Sequence, residues 1–414
     1  MEKSTNSTSA TTSSSTCDLS ESKSSNVSAS PVPSQLITNM RPFDYPINDL
    51  PAHNAIPANI DSNEFSDVKY LSNGSNSYVY TAMWRNQSIV VKMLKSKLSN
   101  QRIAKQEILF ETAMLVRINH PNIVKIMGAG EDPRKFVVLE HLEGGTLDKL
   151  LSSQSTMALK TASHKKETLH IKSSISIARD IASALKYLHD DFSTSATLIH
   201  RDLKPQNIGF SGDGQLKLFD FGLMACVKKR ICSNDSYNMT GNTGTLAYMA
   251  PEVALRKTYS EKVDIYSFGM ILWQLLSSDI PFRGMTKEEH LNNVVKGGQR
   301  PRISDDLPLM LIRLIERCWH ADPVKRPCAC EILNVLDCVS DEINNGGVSL
   351  RSKKSLSPSN SWNFFHQSKS HKVADLNTLT GRSSTAISAN TQNNNNHEGV
   401  SVIKAVQRSK TGWF

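Results

Sequence analysis

From residue 66 to residue 91 the chain alternates between apolar and polar positions, with Val68 and Tyr70, then Tyr78-Val79-Tyr80, then Ile89-Val90-Val91. Side chains on a strand point to its two faces in turn, so this pattern predicts strands. Asn73-Gly74-Ser75-Asn76 and Arg85-Asn86-Gln87 supply turn residues between them, which makes a three-stranded antiparallel meander. The period then changes. Ile103, Glu107, Phe110, Glu111, Met114 and Leu115 recur at steps of three and four and predict a helix over 101–118, ended before Pro121. Ile123–Met127 and Phe136–Leu139 predict two more strands, and Glu143-Gly144-Gly145 breaks the chain. Beyond it, Ile171, Ile175, Ala178, Ile181, Ala182, Leu185 and Leu188 form one apolar stripe of a helix over 171–189. The segment 263–277 is apolar nearly all round, the mark of a helix in the middle of a core. Further helices are predicted near 287–296, 307–318 and 328–343, and the polar, Ser/Lys-rich stretch 152–168 reads as a surface insertion.

Composition sets limits on this picture. Residues 1–64 are rich in Ser and Thr and residues 341–414 in Ser, Asn and Lys, including an Asn run at 393–396. Neither end carries the apolar periodicity needed to offset the entropy of ordering, so both are expected to be disordered tails. The chain of 414 residues has a net charge of +9, but most of it lies in the C-terminal tail. That tail has no dense Lys/Arg run, which argues against a nucleic-acid or membrane face. The seven cysteines are scattered without a Cys-x-x-Cys pair and are expected to be free thiols in a reducing compartment. The N-terminal stretch has no apolar core after its early lysine, and nowhere do about eighteen apolar residues run together. No secretory signal, membrane span or lipid anchor is therefore expected. A cytoplasmic location with access to the nucleus follows as an expectation.

The chemistry concentrates in one place. Residues 200–207 read His-Arg-Asp-Leu-Lys-Pro-Gln-Asn, and Asp220-Phe221-Gly222 begins thirteen residues after the Asn. One short strand–loop–strand thus holds a candidate base, Asp202, a cation, Lys204, and two hard oxygen ligands for a metal, Asn207 and Asp220. That set suits moving a phosphoryl group from a nucleotide to a hydroxyl. Lys92 ends a run of β-branched residues and should face inward, where it needs a partner charge. Glu111 and Glu107, one turn apart on the predicted helix, are the candidates.

On these residues the chain resembles the eukaryotic protein kinases over about 65–340. Trp84-Arg85, Met249-Ala250-Pro251-Glu252, Ser267-Phe268-Gly269 with Trp273, and Arg317-Cys318-Trp319 are similar to the tyrosine-kinase-like group, with its Raf-like and mixed-lineage-like members. The resemblance implies an α+β fold of two lobes. A small antiparallel-sheet lobe with one main helix would span 65–140, and a larger, mainly helical lobe 145–340. It implies ATP with Mg²⁺, or Mn²⁺ in its place, as cofactors and proteins as substrates. Lys204 and Gly244-Thr245 imply Ser/Thr rather than Tyr acceptors, with the Thr245 hydroxyl bridging Asp202 and Lys204.

The remaining roles also come from the resemblance. Lys92 would hold the α/β-phosphates, steadied by Glu111. The phosphate-covering loop would be Ser72–Val79, in which Gly74 is the one glycine of the family's three. Leu71 and Val79, with Leu218 or Phe219, would sandwich the adenine, and the Glu140 C=O and Leu142 N–H would meet its edge. Leu139 would guard the inner pocket. Arg201 would pair with a phosphate on the loop 220–252, which carries Ser233, Ser236, Tyr237, Thr240 and Thr243; spacing favours Thr240 or Thr243. An upstream kinase or autophosphorylation would place it. Asp264 would hold the catalytic loop, and Arg326 would pair with Glu252. Ser355, Ser357-Pro358, Trp362 with Phe364-Phe365, and Trp413-Phe414 are candidate regulatory or docking elements of the tail. Two other functions stay open: a pseudokinase scaffold, because Ser stands at two glycine positions, and a dual-specificity or tyrosine kinase.

Overall fold

The computed structural model describes residue 50 and residues 59–157, 164–230 and 235–345. Ser233, the tail serines and tail aromatics lie outside them. Five antiparallel strands form the first sheet: β1 (Ser66–Asn73), β2 (Ser77–Trp84), β3 (Gln87–Leu94), β4 (Ile126–Gly130) and β5 (Phe136–Glu140), in the order β1-β2-β3-β5-β4. The two-residue period sorts β3: Ile89, Val91 and Met93 are buried with Phe65, Trp84 and Phe136, while Lys92 points to the other face. Helix α1 (Gln101–Leu115) buries Ala104, Ile108, Phe110, Glu111, Met114 and Leu115. It ends sooner than its predicted 118, in a turn before Pro121.

The larger lobe is helical. It contains α2 (Leu147–Met157), α3 (His164–Lys186), α4 (Pro251–Ala254), α5 (Lys262–Ser277), α6 (Lys287–Glu289), α7 (Leu309–Cys318) and α8 (Ala329–Asn344). Short strands carry the chemistry: β6 (Gly145–Thr146), β8 (Ile208–Phe210) and β9 (Leu216–Leu218) in one sheet, β7 (Ala196–Ile199) with β10 (Ala225–Lys228) in another. Every residue of α5 from Val263 to Leu276 is buried, as its apolar circumference predicts.

Several expectations are corrected. Helix occupies both ends of the stretch 152–168, where the sequence predicts none; Leu147 and Leu151, four residues apart, anchor α2 in the core just before it. The strand expected at Ile123–Met127 starts only at Ile126. Residues 122–124 are recruited by β9 instead, through Leu218 N–H to Asn122 C=O and Val124 N–H to Leu218 C=O, both 2.9 Å. This exchange ties the small lobe to the large one. The segment 287–296 is one α-helical turn, fixed by a Thr286/Glu289 capping box, running into a π-helical turn. Residues 59–64, assigned to the N-terminal tail, pack on the sheet: Ile60 N–H donates to Ala129 C=O at 2.9 Å, and Trp84 Nε1 donates to Glu64 at 2.8 Å. Likewise α8 runs past 340 to Asn344. The five described cysteines are free thiols.

The large lobe is pinned by a buried bidentate pair. Arg326 Nη1 and Nη2 lie 2.6 and 2.9 Å from the two Glu252 oxygens, and Arg326 also donates to the carbonyls of His320 and Lys262. The arginine side chain is wholly buried, so removing it strands the Glu252 charge. Arg326→Ala is expected to cost about 3–5 kcal/mol in denaturant unfolding; a loss under about 1 kcal/mol would place the pair among ordinary surface bridges.

Candidate active site

The loop between β7 and β8 is held from beneath by one carboxylate. Asp264, fully buried at the start of α5, accepts the backbone N–H of His200 at 2.8 Å and of Arg201 at 2.9 Å, and meets His189 Nε2 at 2.9 Å. Burial alone would raise its pKa; the hydrogen bonds from His189 and from the Arg201 backbone outweigh burial and hold it below the ordinary aspartate range. Arg201 takes a positive φ of 68°, a strained setting that this grip over-determines.

Asp202 stands above that anchor with both oxygens engaged. Oδ2 accepts from Lys204 Nζ at 2.6 Å and Asn207 Nδ2 at 3.1 Å; Oδ1 accepts from the Thr245 N–H at 2.9 Å and its Oγ1 at 3.1 Å. Lys204 Nζ also donates to Thr245 Oγ1 at 2.8 Å, so the hydroxyl bridges the two charged groups. Gly244 allows this approach: at φ +96°, a Cβ there would lie 2.7 Å from the Arg201 carbonyl oxygen. Asn207 Nδ2 donates as well to the Asp202 C=O at 2.9 Å, which leaves the amide oxygen to offer.

A second ionic centre faces the first across the cleft. Lys92 Nζ lies 2.9 Å from both Glu111 oxygens and 2.9 Å from Asp220 Oδ1. Burial disfavours the Lys92 charge, yet the two carboxylates outweigh it and keep its pKa above the usual lysine value. The Lys92 ammonium in turn holds Asp220 below the usual carboxylate range. Glu107 is not the partner of Lys92; it accepts from Asn76 Nδ2 at 2.5 Å. Gly74, Asn76, Lys92, Asp202 and Asp220 line one cleft of about 300 Å³. Asn207 and Asp220 suit a hard cation that keeps most of its sites for phosphate and water; among the described residues no group of three or more His, Cys, Asp or Glu is arranged to hold a metal ion.

The adenine side is less convergent. Leu71 lies on β1 with 52% of its surface exposed, and Val79 sits opposite Lys92 in the β2–β3 register. Leu139 is buried in the core. The Glu140 carboxylate is taken by Lys217 Nζ at 3.0 Å and the Lys125 N–H at 2.6 Å. Leu218 is wholly buried in the core, which removes it as a wall of the base site. Sequence reasoning missed Gly209: a Cβ there would stand 2.7 Å from Leu142 Cδ1 and 3.3 Å from Phe219 Cε1, so its bareness seats Leu142. On the loop after Asp220, Arg201 Nη2 reaches Thr240 Oγ1 at 3.0 Å; Thr243 Oγ1 donates to the Thr240 C=O at 3.3 Å and does not meet the arginine.

A sequence model described as protein tyrosine and serine/threonine kinase matches residues 65–336. The chain belongs to this kinase family. It is 34% identical over 290 residues to serine/threonine-protein kinase VIK of Arabidopsis thaliana, covering 69% of this chain and 62% of the relative. It is 32% identical over 289 residues to serine/threonine/tyrosine-protein kinase HT1 of Arabidopsis thaliana, covering 69% and 68%. Human mitogen-activated protein kinase kinase kinase 7 is 32% identical over 279 residues, covering 67% of this chain and 42% of that protein. The chain thus spans less than two thirds of the length of the first and third of these kinases. The tyrosine-kinase-like resemblance agrees with these relatives, and no described helix is long and apolar enough to cross a membrane.

The depressed Asp264 pKa fixes a sign. A carboxylate bound more tightly in the folded state contributes stability above the ordinary aspartate pKa of about 3.9, and that contribution is lost as pH falls through the folded value. The urea-midpoint gap between wild type and Asp264→Asn should therefore be widest near neutral pH and narrow as pH falls below about 4. A constant gap would contradict this charge assignment.

Proposed function

We propose that this kinase-family chain is an active protein serine/threonine kinase, transferring the γ-phosphoryl group of ATP to Ser and Thr hydroxyls of protein substrates. The observation that carries the reading is the Asp202–Lys204–Thr245 constellation, assembled within the same cleft as a fully paired Lys92. A pseudokinase needs neither. Asp202 accepts a hydrogen bond from the substrate hydroxyl, orients its oxygen toward the γ-phosphorus and takes the proton as the new P–O bond forms. The bond to the β–γ bridging oxygen breaks and ADP leaves. Lys204 offsets charge on the moving phosphoryl group, and Thr245 holds both side chains in register. Lys92, steadied by Glu111, binds the α/β-phosphates. Mg²⁺, or Mn²⁺, held by Asn207 and Asp220 supplies neutralisation of phosphate charge. Leu71 and Val79 cover the base, and the Glu140 C=O and Leu142 N–H read its edge.

The same reading extends to regulation. Arg201 Nε and Nη1 are buried without a partner among the described residues, and its third nitrogen touches the exposed Thr240 hydroxyl. A buried cation short of partners is costly, and a phosphate on Thr240 would supply them. Thr240 is therefore favoured over Thr243 as the activating site, filled by an upstream kinase or by autophosphorylation. A cytoplasmic signalling role, with nuclear access, fits this design.

Transfer of labelled phosphate from ATP to a generic Ser/Thr protein substrate is expected to fall about 10²–10⁴-fold in Asp202→Asn. Equal transfer by wild type and variant would defeat the enzyme reading, and phosphotyrosine as the main product would defeat the acceptor assignment. In the phosphorylated enzyme, Thr240→Ala should lose roughly tenfold in kcat/KM, the worth of one charge-assisted hydrogen bond, while Thr243→Ala keeps most activity. The reverse order would move the switch to Thr243.

A further inference from the structure

The loop over the cleft has Ser72 and Ser77 at two positions where a glycine is the more pliant choice, yet its backbone is organised by a side chain from the neighbouring strand end. Lys95 Nζ donates to the Gly74 C=O at 2.5 Å and the Ser75 C=O at 3.0 Å, and the Lys95 backbone N–H takes the Asn76 C=O at 3.0 Å. Three consecutive carbonyls of the loop thus converge on one lysine. The Lys95 ammonium is itself steadied over the Tyr78 ring, 5.3 Å from its centroid. In a planar trans peptide the N–H points opposite to the C=O. Fixing the carbonyls of Gly74 and Ser75 on Lys95 therefore aims the N–H groups of Ser75 and Asn76 the other way. Gly74, Ser75, Asn76 and Ser77 all line the cleft, and Lys95 does not. A second tie crosses from the loop to α1: the Asn76–Glu107 hydrogen bond lies one helical turn from Glu111, the partner of Lys92.

We propose that Lys95 is a positioning residue for nucleotide phosphates, holding the Ser72–Ser77 loop with its N–H groups presented to the cleft, and that Asn76–Glu107 couples this loop to the helix that places Lys92. The lysine does by side-chain hydrogen bonding what backbone freedom does in a loop with more glycines. The inference rests on the reading of the cleft as a nucleotide site. It differs from the role of Lys92, because Lys95 acts on the backbone of the loop and not on the nucleotide.

The test compares binding of ATP and of adenosine, with Mg²⁺, to full-length wild type, Lys95→Met and Lys95→Arg by calorimetry. Adenosine has the base and sugar but no phosphates. Lys95→Met should weaken ATP roughly five- to tenfold, the worth of one to two lost hydrogen bonds, with adenosine affinity unchanged; Lys95→Arg, which keeps donors on the stem, should recover much of the loss. In steady state the ATP KM should rise by a similar factor with kcat little moved. Unchanged ATP affinity in Lys95→Met, or equal weakening of ATP and adenosine, would overturn the proposal. A wild-type protein that binds neither ligand would instead remove the nucleotide reading itself.

Discussion

The site depends on one buried carboxylate. Asp264 sits near the start of a helix that is buried from Val263 to Leu276, and its two oxygens take successive backbone N–H groups of the loop that bears Asp202. A loop rich in charge is a poor candidate for a fixed shape, since its groups gain as much from water as from each other. A carboxylate with no access to water changes that balance, because leaving its oxygens without donors carries a large desolvation penalty that the two loop N–H groups remove. The positive φ of Arg201 is tolerated for the same reason. From that fixed base Asp202 can hold Lys204, Asn207 and Thr245 together, and the His200 ring meets buried Phe221, next to Asp220, in a tilted contact with centroids 4.9 Å apart. Lys92 then joins Asp220 to Glu111 and so to the small lobe.

What was legible in the sequence was local. Asp202, Lys204 and Asn207 fall within six residues, so a short string fixes their relation. Lys92 was readable because the two-residue period of β3 turns it away from Ile89 and Val91; helical spacing alone left Glu107 and Glu111 as rival partners, and the choice of Glu111 came from the kinase resemblance. Where two long-range partners compete, the reading failed. Ile123 and Val124 are apolar enough for a strand of the first sheet, yet β9, far along the chain, takes their backbone. The helix α2 was hidden by its polar exterior, with Leu147 and Leu151 the main signal.

Functional residues missed from the sequence share a cause. Gly209 matters through Leu142 and Phe219, contacts that no periodicity announces. Lys95 looks like a solvated lysine at a strand end until the fold brings the carbonyls of Gly74 and Ser75 to it. The glycine-poor loop looked like a weakness in the sequence, and the same loop is held in the structure by contacts that sequence spacing cannot show. Thr240 and Thr243 were equivalent by spacing and were separated only by which hydroxyl Arg201 meets.

The central claim is that these paired charges form a working phosphoryl-transfer site with hydroxyl acceptors of the Ser/Thr type. The most direct measurement is mass spectrometry of the purified full-length chain and a generic protein substrate after incubation with ATP and Mg²⁺, with phosphorylated residues mapped on both. The account predicts phosphate on substrate Ser and Thr, dependent on the divalent cation. Phosphate on neither protein, or on tyrosines alone, would contradict it.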